Sequence, residues 1–458
     1  MTRKNIRTAR GASSVLAVFF VTLFAVLAIS FTGMTNVNMH MSKNHKDLSE
    51  AQAVAESGLQ FASLLFYDFS LGNTESFCGD LTDDKAVKTF ENFGVYLIEA
   101  LDDSAAIDYG QILPISYFSE DGLTGSQLSI PPAKLESQEN ANFSVTFRQY
   151  DNDPKILEIV SLGQLGKITR KIRFFFDITK IPVIIFDFAL FSRGNIILKN
   201  SGVVDITNVD PSDTRPLQIG TNSTSMGAIN LGNSATINGD ILVGPGGDPD
   251  LVIDYGSSST ITGDVYAMSK AWEPPPIVVP QNLLDAPSKG IIDKNTTITT
   301  SGKYDSINFT KNGFIKINGD VSLFIVGTFI ATERFELQLD PEASLTLYLG
   351  GDFIADSNCN LNNTTQDPLK LQIYALPTCK NITLASSGDI YATIYAPDTD
   401  VNFLNQVDLY GALITNNSYF NSRINIYYDA RLRTFESENV KQCSELKVVR
   451  DADSYLEL

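Results

Sequence analysis

Residues 235–243 read ATINGDILV, where two short runs of alternating apolar residues meet at a Gly-Asp corner. The same corner recurs in residues 260–267 (TITGDVYA), 315–323 (IKINGDVSL), 347–354 (LYLGGDFI) and 388–392 (GDIYA). Successive corner glycines lie 24, 56, 32 and 37 residues apart, a pattern typical of solenoid coils of about 20 residues with loop insertions. Because the strands alternate and show no helical periodicity, we predict a mainly β chain with a right-handed parallel β-helix over residues 181–435, rather than a sandwich.

The composition is that of a globular, acidic protein. Of 458 residues, 43 % are hydrophobic and 19 % charged, and 34 Lys and Arg oppose 53 Asp and Glu, giving a net charge of −19. Nucleic-acid binding needs a cationic face that neutralises phosphates, so we expect no nucleic-acid partner. The two histidines are His40 and His45. Residues 46–458 therefore cannot hold a His-dependent catalytic triad or a His-ligated metal, and we predict no cofactor.

A membrane-spanning segment is predicted close to the N-terminus. Arg3, Lys4, Arg7 and Arg10 precede residues 12–31, which carry no charge. Twenty helical residues span about 30 Å, the thickness of a bilayer core. The positive-inside rule places residues 1–11 in the cytoplasm. The alternative is a cleaved secretory signal, although the apolar run is longer than the usual h-region.

An amphipathic helix continues from this segment. Apolar residues recur at three- and four-residue spacing, at Leu48, Ala51, Ala55, Leu59, Ala62, Phe66 and Phe69. The chain has no proline before Pro114. We therefore predict one transmembrane and amphipathic helix over residues 12–70.

Residues 71–180 predict a small α+β domain, and residues 436–458 a C-terminal tail. An apolar-rich segment at 90–101 precedes Gly, Pro and Ser residues that predict loops through residues 131–132. Strand-like runs follow at 143–147, 156–161 and 168–178. An antiparallel sheet against the end of the long helix would bury both apolar faces, whereas a mere spacer is the alternative.

The N-terminal segments resemble those of PilX-type pilus assembly proteins, in the type IV pilin-like superfamily. The resemblance lies in Arg10-Gly11, the uncharged run and residues 49–59 (SEAQAVAESGL). It implies a leader over residues 1–11, cut between Gly11 and Ala12 by a prepilin peptidase, and a pilin-like domain over residues 71–180. Pilins commonly carry Glu at the fifth mature position, where this chain has Leu16. In lacking this Glu, the chain is similar to minor or tip subunits rather than to the bulk subunit of a filament.

The later coils carry a second resemblance. Residues 394–397 (IYAP), 409–414 (LYGALI) and 426–429 (IYYD) resemble the closing repeats of β-helical ectodomains fused to PilX-type N-termini in bacterial surface proteins. The resemblance implies an architecture and a location, and no reaction.

Asp248, Asp250 and Asp254 are the strongest catalytic candidates. β-Helices also scaffold polysaccharide lyases and hydrolases, which use carboxylate clusters, often with Ca²⁺. These three aspartates lie close together in a Gly/Pro-rich loop, where turn chemistry explains them better. We therefore assign no catalytic and no metal residue.

Aromatic and proline-rich segments allow two interpretations each. Residues 273–280 (EPPPIVVP) form either a polyproline II ligand or an extended excursion that covers the solenoid. Trp272 and the set Tyr391, Tyr395 and Tyr410 form either a sugar-binding stripe or inward stacks along the coils.

The cysteines are never closely spaced, which disfavours a metal knuckle. Cys359 and Cys379 are separated by one coil length, so we predict that they lie side by side on adjacent coils and form a disulfide. The sequence leaves the state of Cys78 and Cys443 open.

Together these features predict a minor pilin-like cell-surface subunit that acts in type IV pilus or pseudopilus assembly, tip decoration or adhesion, and that is not an enzyme. It would cross the bacterial inner membrane once, with a cytoplasmic N-terminus and an ectodomain in the periplasm or on the cell surface or pilus. Expected partners are the membrane, prepilin peptidase, other pilin-like subunits, the assembly machinery and, for adhesion, surface polysaccharide. The alternatives are a membrane-anchored polysaccharide-active enzyme and a passive cell-envelope structural protein.

The mature protein should begin at Ala12, because Gly11 has no side chain and the basic leader holds it at the cytoplasmic face. Intact-mass measurement of the protein purified from a bacterial host with a prepilin peptidase tests this. A mature terminus at Phe31 would indicate signal cleavage and one at Met1 a plain anchor, and either contradicts the pilin interpretation.

Overall fold

The structure is a computed structural model that describes residues 9–72, 77–102, 113–120, 123–134, 140–150, 153–386, 388–450 and 456–457. The chain forms two compact units. The first unit comprises Met1–Thr74, Leu81–Lys180 and Leu446–Leu458, and the second comprises Glu75–Asp80 and Ile181–Glu445.

The described residues are mainly strands. The α-helices are α1 (Ala9–Gly72), α2 (Asp83–Asp102), α3 (Pro249–Val252) and α4 (Gln281–Leu284), with 3₁₀ helices at Pro368–Lys370 and Ala430–Thr434. The strands are β1 (Phe77–Cys78), β2 (Leu113–Glu120), β3 (Leu123–Lys134), β4 (Ala141–Tyr150), β5 (Asp153–Leu165), β6 (Ile168–Pro182), β7 (Leu190–Ser192), β8 (Ile196–Leu198), β9 (Gly202–Thr207), β10 (Gln218–Thr221), β11 (Ile229–Leu231), β12 (Thr236–Ile237), β13 (Asp240–Val243), β14 (Ile253–Tyr255), β15 (Thr260–Ile261), β16 (Val265–Ala267), β17 (Ile291–Ile292), β18 (Thr296–Ile298), β19 (Gly302–Tyr304), β20 (Ser306–Phe309), β21 (Gly313–Ile317), β22 (Asp320–Ile325), β23 (Phe329–Ala331), β24 (Phe335–Leu339), β25 (Ser344–Leu349), β26 (Phe353–Asn363), β27 (Leu371–Ala375), β28 (Asn381–Ser386), β29 (Gly388–Phe403), β30 (Val407–Phe420), β31 (Ile424–Asp429), β32 (Cys443–Arg450) and β33 (Leu456–Glu457).

Helix α1 changes its environment along its length. From Val18 to Met41 its large apolar side chains are exposed, and Phe24 for example is 66 % exposed. Among the described residues, α1 is the one helix long and apolar enough to cross a membrane, with the qualifying span at Ala17–Phe69. By length and composition, this helix could serve as a membrane anchor or a signal sequence.

The C-terminal half of α1 packs on an antiparallel sheet in the first unit. Strands β6, β5, β4, β3 and β2 lie side by side in that order. The helix face toward the sheet is built from small residues, Ala51, Ala55 and Ala62, which are fully buried. A Cβ atom on Gly163 in β5 would meet the Ala51 carbonyl oxygen at 2.5 Å and also the Ala55 backbone. Helix and sheet thus approach each other closely because both surfaces lack bulk.

Phenylalanines fill the rest of this core. Phe66 of α1 stacks on Phe93 of α2 at a centroid distance of 4.1 Å, and both contact Phe147 of β4 edge-on. Strand β3 forms where the sequence predicts loops. Its prolines, at 131 and 132, lie where the pairing with β4 shifts register between Ile130 and Ala133, so the missing N–H groups do not interrupt the ladder.

Parallel pairing builds the second unit, and the paired strands are three apart among β7–β25 and two or one apart among β26–β31. Leu190 of β7 pairs with Ile219 of β10, which pairs with Ile241 of β13, which in turn pairs with Val265 of β16. The same rule links β17 to β20 and β20 to β23. Each turn of the chain therefore lies on the next, about 4.8 Å away, with apolar side chains in register inside.

The last turn returns to the first. Strand β30 pairs in parallel with β7 and β8, and β31 pairs with β9, through Leu413↔Leu190, Ser418↔Ile196 and Ile424↔Gly202. The first turn (β7–β9) therefore lies inside the stack, between β10–β12 on one side and β30–β31 on the other. We call this junction of β30–β31 with β7–β9 the seam. From β16 at one end of the stack, residues 268–290, here called the strap, carry the chain to β17 at the other end.

The Gly-Asp corners serve close stacking. A Cβ atom on Gly263 would meet the Gly239 backbone of the previous turn at 2.5 Å. The Asp240 side chain beside it accepts a hydrogen bond from the Asp264 backbone N–H at 2.8 Å. Gly319 has a positive φ of 92°, which other residues rarely adopt. Glycine is thus required at these corners for one of two reasons: close approach of the neighbouring turn, as at Gly263, or a positive φ, as at Gly319.

Replacing Gly163 by Ala should destabilise the first unit by about 1–3 kcal/mol, since the added methyl overlaps the backbone of α1. The control is Leu162→Ala, because Leu162 on the opposite face of β5 is 39 % exposed. Denaturant titration of the detergent-solubilised chain, followed by amide exchange of peptides from residues 141–178, measures both. Equal effects of the two substitutions would contradict the close packing of α1 on β5.

Candidate functional site

The predicted processing site lies at the start of α1. Gly11, Ala12 and Leu16 belong to this helix, and their side chains lie outside the described part of the structure. Farther along, the hydroxyls of Thr32 and Thr35 donate to the carbonyl oxygens of Ala28 and Phe31, both at 2.7 Å. Polar groups of the apolar segment are thus satisfied inside the helix, which lowers the cost of placing them in lipid. Cleavage after Gly11 remains a prediction.

Two of the three candidate aspartates serve local structure, and the third, Asp250, lies in the first turn of α3. Asp248 caps α3, its side chain accepting from the Asp250 backbone N–H at 3.1 Å. Asp254 accepts from the Asn230 side chain on the neighbouring turn at 2.7 Å. In the part of the chain that the structure describes, no group of three or more His, Cys, Asp or Glu could hold a metal ion. The position of Asp248 is therefore explained by its role in a turn, and that of Asp254 by its hydrogen bond to the neighbouring turn.

The predicted tyrosine stripe divides into two sets. Tyr395 is fully buried, and its hydroxyl donates to the Pro275 carbonyl oxygen at 2.7 Å. Tyr391 and Tyr410 are partly exposed and stack at 4.4 Å with an interplanar angle of 12°, and Tyr427 continues the stack at 4.8 Å. Burial, with the neighbouring Tyr391, raises the pKa of Tyr410 to about 12. Because the rings cover one another, this ladder presents ring edges rather than faces.

The proline-rich segment is an extended excursion against the core of the second unit. Pro274, Pro275 and Val279 are buried. The Val278 N–H donates to the Asn439 carbonyl oxygen and the Pro276 carbonyl oxygen accepts from the Lys441 N–H, both at 2.8 Å. A segment with its backbone paired in this way cannot also serve as a free polyproline II ligand.

Trp272 belongs to the strap and packs inward. Its ring meets Phe191 edge-on at 4.6 Å and Phe188 at 5.5 Å. The Asn222 side chain bonds both the backbone N–H and the carbonyl oxygen of Trp272, at 2.9 and 2.8 Å. Trp272 therefore fastens the strap rather than offering a sugar platform.

The predicted disulfide between Cys359 and Cys379 is absent from the structure, in which both are free, buried thiols. The reason is register. The residue level with Cys359 on the next turn is Ser386, seven positions beyond Cys379. The disulfide instead joins Cys78 to Cys443, which pair across β1 and β32 although 365 residues separate them.

A shallow cleft of about 450 Å³ lies on the outer face of β21, β24 and β26. The residues that give it chemical character are Asn295, Phe314, Arg334, Glu336, Asn358 and Asn360. Phe314 is level with Glu336, and Glu336 with Asn360, on successive turns. Their inward neighbours, Ile315, Leu337 and Leu361, are buried. Alternation along each strand therefore projects one column of side chains into the cleft.

Hydrogen bonds hold this column in place. The Asn295 side-chain oxygen accepts from the Phe314 backbone N–H at 2.9 Å, and Glu336 Oε1 accepts from the Asn362 side chain at 2.7 Å. Phe314 is 40 % exposed, so part of its ring surface is open to a ligand. The cleft thus offers one aromatic surface among amides, a carboxylate and a guanidinium.

Sequence reasoning did not find this cleft. Phe314, Glu336 and Asn360 are 22 and 24 residues apart, and each precedes a buried apolar residue within a short alternating strand. Aligning these strands by their inward residues would have placed the three in one column. This alignment could not be derived from the Gly-Asp corners, because their spacing along the chain is irregular.

Comparisons with known proteins are sparse. A family model described as a domain of unknown function (DUF7305) matches residues 259–435. No curated protein matches the chain. Among solved structures, the chain is similar to the competence-associated pilin ComZ from Thermus thermophilus, at 11 % identity and a TM-score of 0.23, over 84 % of this chain and 99 % of that chain. A TM-score this low carries no argument for fold or function.

Cys359 and Cys379 should resist alkylation at pH 8 in the native protein, because burial raises the pKa of Cys359 to about 12 and that of Cys379 to about 11. After denaturation without reductant both should react, and peptide mapping should recover Cys78 linked to Cys443. A Cys359–Cys379 peptide, or rapid labelling of the native chain, would contradict the structure.

Proposed function

We propose that the chain is a minor pilin-like, membrane-anchored surface subunit with a β-helical ectodomain, acting in type IV pilus or pseudopilus assembly, tip decoration or adhesion. One observation carries this proposal: α1 buries its C-terminal half in an antiparallel sheet and leaves its apolar N-terminal half exposed. A helix divided in this way can insert into a bilayer or pack among equivalent helices in a filament while its globular end stays outside.

The exposed half of α1 needs an apolar environment. Its large side chains, from Val18 to Met41, are uncovered over about seven turns, and burial of each stabilises by about 1.5–3 kcal/mol. Such a surface is unstable in water and suited to lipid or to other helices. The basic residues before it favour a cytoplasmic N-terminus and insertion into the inner membrane.

Leu16 supports a minor rather than a bulk role. A carboxylate at this position could pair with the terminal amine of a neighbour inside the membrane, where an unpaired charge is costly. Leucine offers no such pairing. Assembly would then depend on the apolar surface of α1 and on the exported units, which suits a subunit present in few copies.

The parallel pairing of strands three apart supports the interpretation of the second unit as a parallel β-helix. A right-handed course is proposed because connections between parallel strands are almost always right-handed. Such a rod would present a long outer surface beyond the membrane, as an adhesive or tip subunit requires.

A polysaccharide-active enzyme is the weaker proposal. Glycoside hydrolysis typically uses two carboxyl groups that flank the scissile bond. Glu336 is the one carboxylate among the described residues that line the cleft. These arrangements favour binding over turnover. A passive envelope protein would differ in never entering a filament.

Replacing Gly11 by Arg should block leader removal and exclude the chain from filaments, because the peptidase site would no longer be free of a side chain. The control is Gly33→Ala, since a Cβ atom at Gly33 meets no atom within 4 Å. Quantitative mass spectrometry of sheared filaments should find ectodomain peptides in the wild type and the control, at far lower abundance than the major subunit. Equal incorporation of the Gly11→Arg variant, or dominance of this chain in the filament, would contradict the proposal.

A further inference from the structure

We propose that the outer cleft binds an uncharged, hydroxyl-rich glycan lying along the stack of turns. The inference deepens the proposed function by naming the ligand class for adhesion, and it rests on that function only for the exposure of the second unit outside the cell. The cleft lies wholly within that unit.

The outer face at the cleft has two columns of side chains. One column runs through the cleft residues Phe314, Glu336 and Asn360. A second column lies beside the cleft, two residues along each strand, at Lys316, Gln338 and Asn362. Neighbouring turns lie about 4.8 Å apart and the two columns about 6.6 Å apart. These spacings are close to the dimensions of a pyranose ring, so an extended glycan would place successive units against successive turns.

The side chains suit hydroxyl groups. Amides donate and accept, a carboxylate accepts and a guanidinium donates, so a sugar hydroxyl finds both kinds of partner. Asn295 accepts a hydrogen bond from the Phe314 N–H and Glu336 accepts one from the Asn362 side chain, so two of these groups are fixed before a ligand arrives. Preorganisation of this kind lowers the entropic cost of binding.

Phe314 supplies the apolar contact. A sugar ring carries C–H groups on its faces, and an exposed phenyl ring is the surface that such faces cover best. In contrast to the stacked ladder of Tyr391, Tyr410 and Tyr427, where rings cover each other, Phe314 is level with Glu336 rather than with another aromatic residue. The ligand is therefore expected to pack on Phe314.

Charge selects the ligand class. Arg334 and Glu336 line the same cleft and offset each other, and Lys316 is paired with Asp340 at 2.9 Å. The chain as a whole carries −19, which disfavours the approach of an anionic polymer. An uncharged glycan is not repelled by the net negative charge, and it needs no unbalanced charge in the cleft.

Titration calorimetry of the full chain with cellohexaose, chitohexaose and maltohexaose tests the proposal, in a detergent without a sugar headgroup. At least one hexasaccharide should bind saturably, with a Kd of about 10 μM to 1 mM. Phe314→Ala should weaken that binding about tenfold, since it removes the apolar contact. Glu336→Gln keeps the shape of the side chain and should weaken binding less.

The control variant is Tyr255→Ala, because Tyr255 is also an exposed aromatic residue, 48 % exposed, and lies outside the cleft. It should bind the glycan as the wild type does. Thermal unfolding of each variant should match the wild type, because Phe314 and Tyr255 are exposed and Glu336→Gln keeps the shape of a half-buried side chain.

Three results would overturn the inference: no binding of any of the three glycans at about 5 mM, equal loss of binding in the Tyr255→Ala and Phe314→Ala variants, or shortening of the glycan, which would make the cleft catalytic. None of them depends on processing of the leader. A chain that binds glycan but keeps Met1 would contradict the pilin-like function and leave the cleft assignment intact.

Discussion

The second unit depends on the seam, where the last turn of the chain pairs with the first across more than 220 residues. Inside it, the hydroxyl of Ser192 lies 2.9 Å from that of Thr415 and 2.8 Å from that of Ser418, and all three residues are buried. Buried hydroxyls are costly unless they are hydrogen-bonded, and here they bond to one another. A slip of one residue in the pairing would turn these groups away from one another, so the triad stabilises one register of closure.

Local features of the fold could be predicted from the sequence, and remote ones could not. The alternation in residues 235–243 correctly indicates that Ile237 of β12 is buried and Thr236 is not, because side-chain direction follows from strand geometry alone, whereas all four residues of β13 are buried. The pairing of Leu190 with Leu413 has no local signal, since any apolar strand of similar length could take either place. The prediction of the disulfide was wrong for the same reason. The partner of Cys78 depends on the position of β32, which is remote in the sequence, whereas the spacing of Cys359 and Cys379 is only a local signal.

In the candidate site, too, the roles that depend on nearby residues could be predicted and those that depend on remote residues could not. Asp248 could be assigned to a turn because its role depends on residues two positions away. Tyr391 and Tyr395 could not be told apart, since β29 places one on the outer face and the other against the strap. The column of Phe314, Glu336 and Asn360 exists only once three turns are in register. A binding surface on a stacked fold is thus a property of the register, and the register depends on loop lengths that the corner motif does not reveal.

The seam and the strap together make the two parts of the stack one folding unit. A chain cut between β14 and β15 would leave β30 and β31 without β7–β9, exposing apolar strands and separating Thr415 and Ser418 from Ser192. Arg433 would also lose its bond to Asp213 at 2.9 Å, leaving a buried guanidinium without this carboxylate. The strap has the complementary role, because its backbone pairs with residues 439–441 from the end of the unit. The turns that carry the outer cleft are therefore supported by the first turn, which precedes them in the chain by about 100 residues.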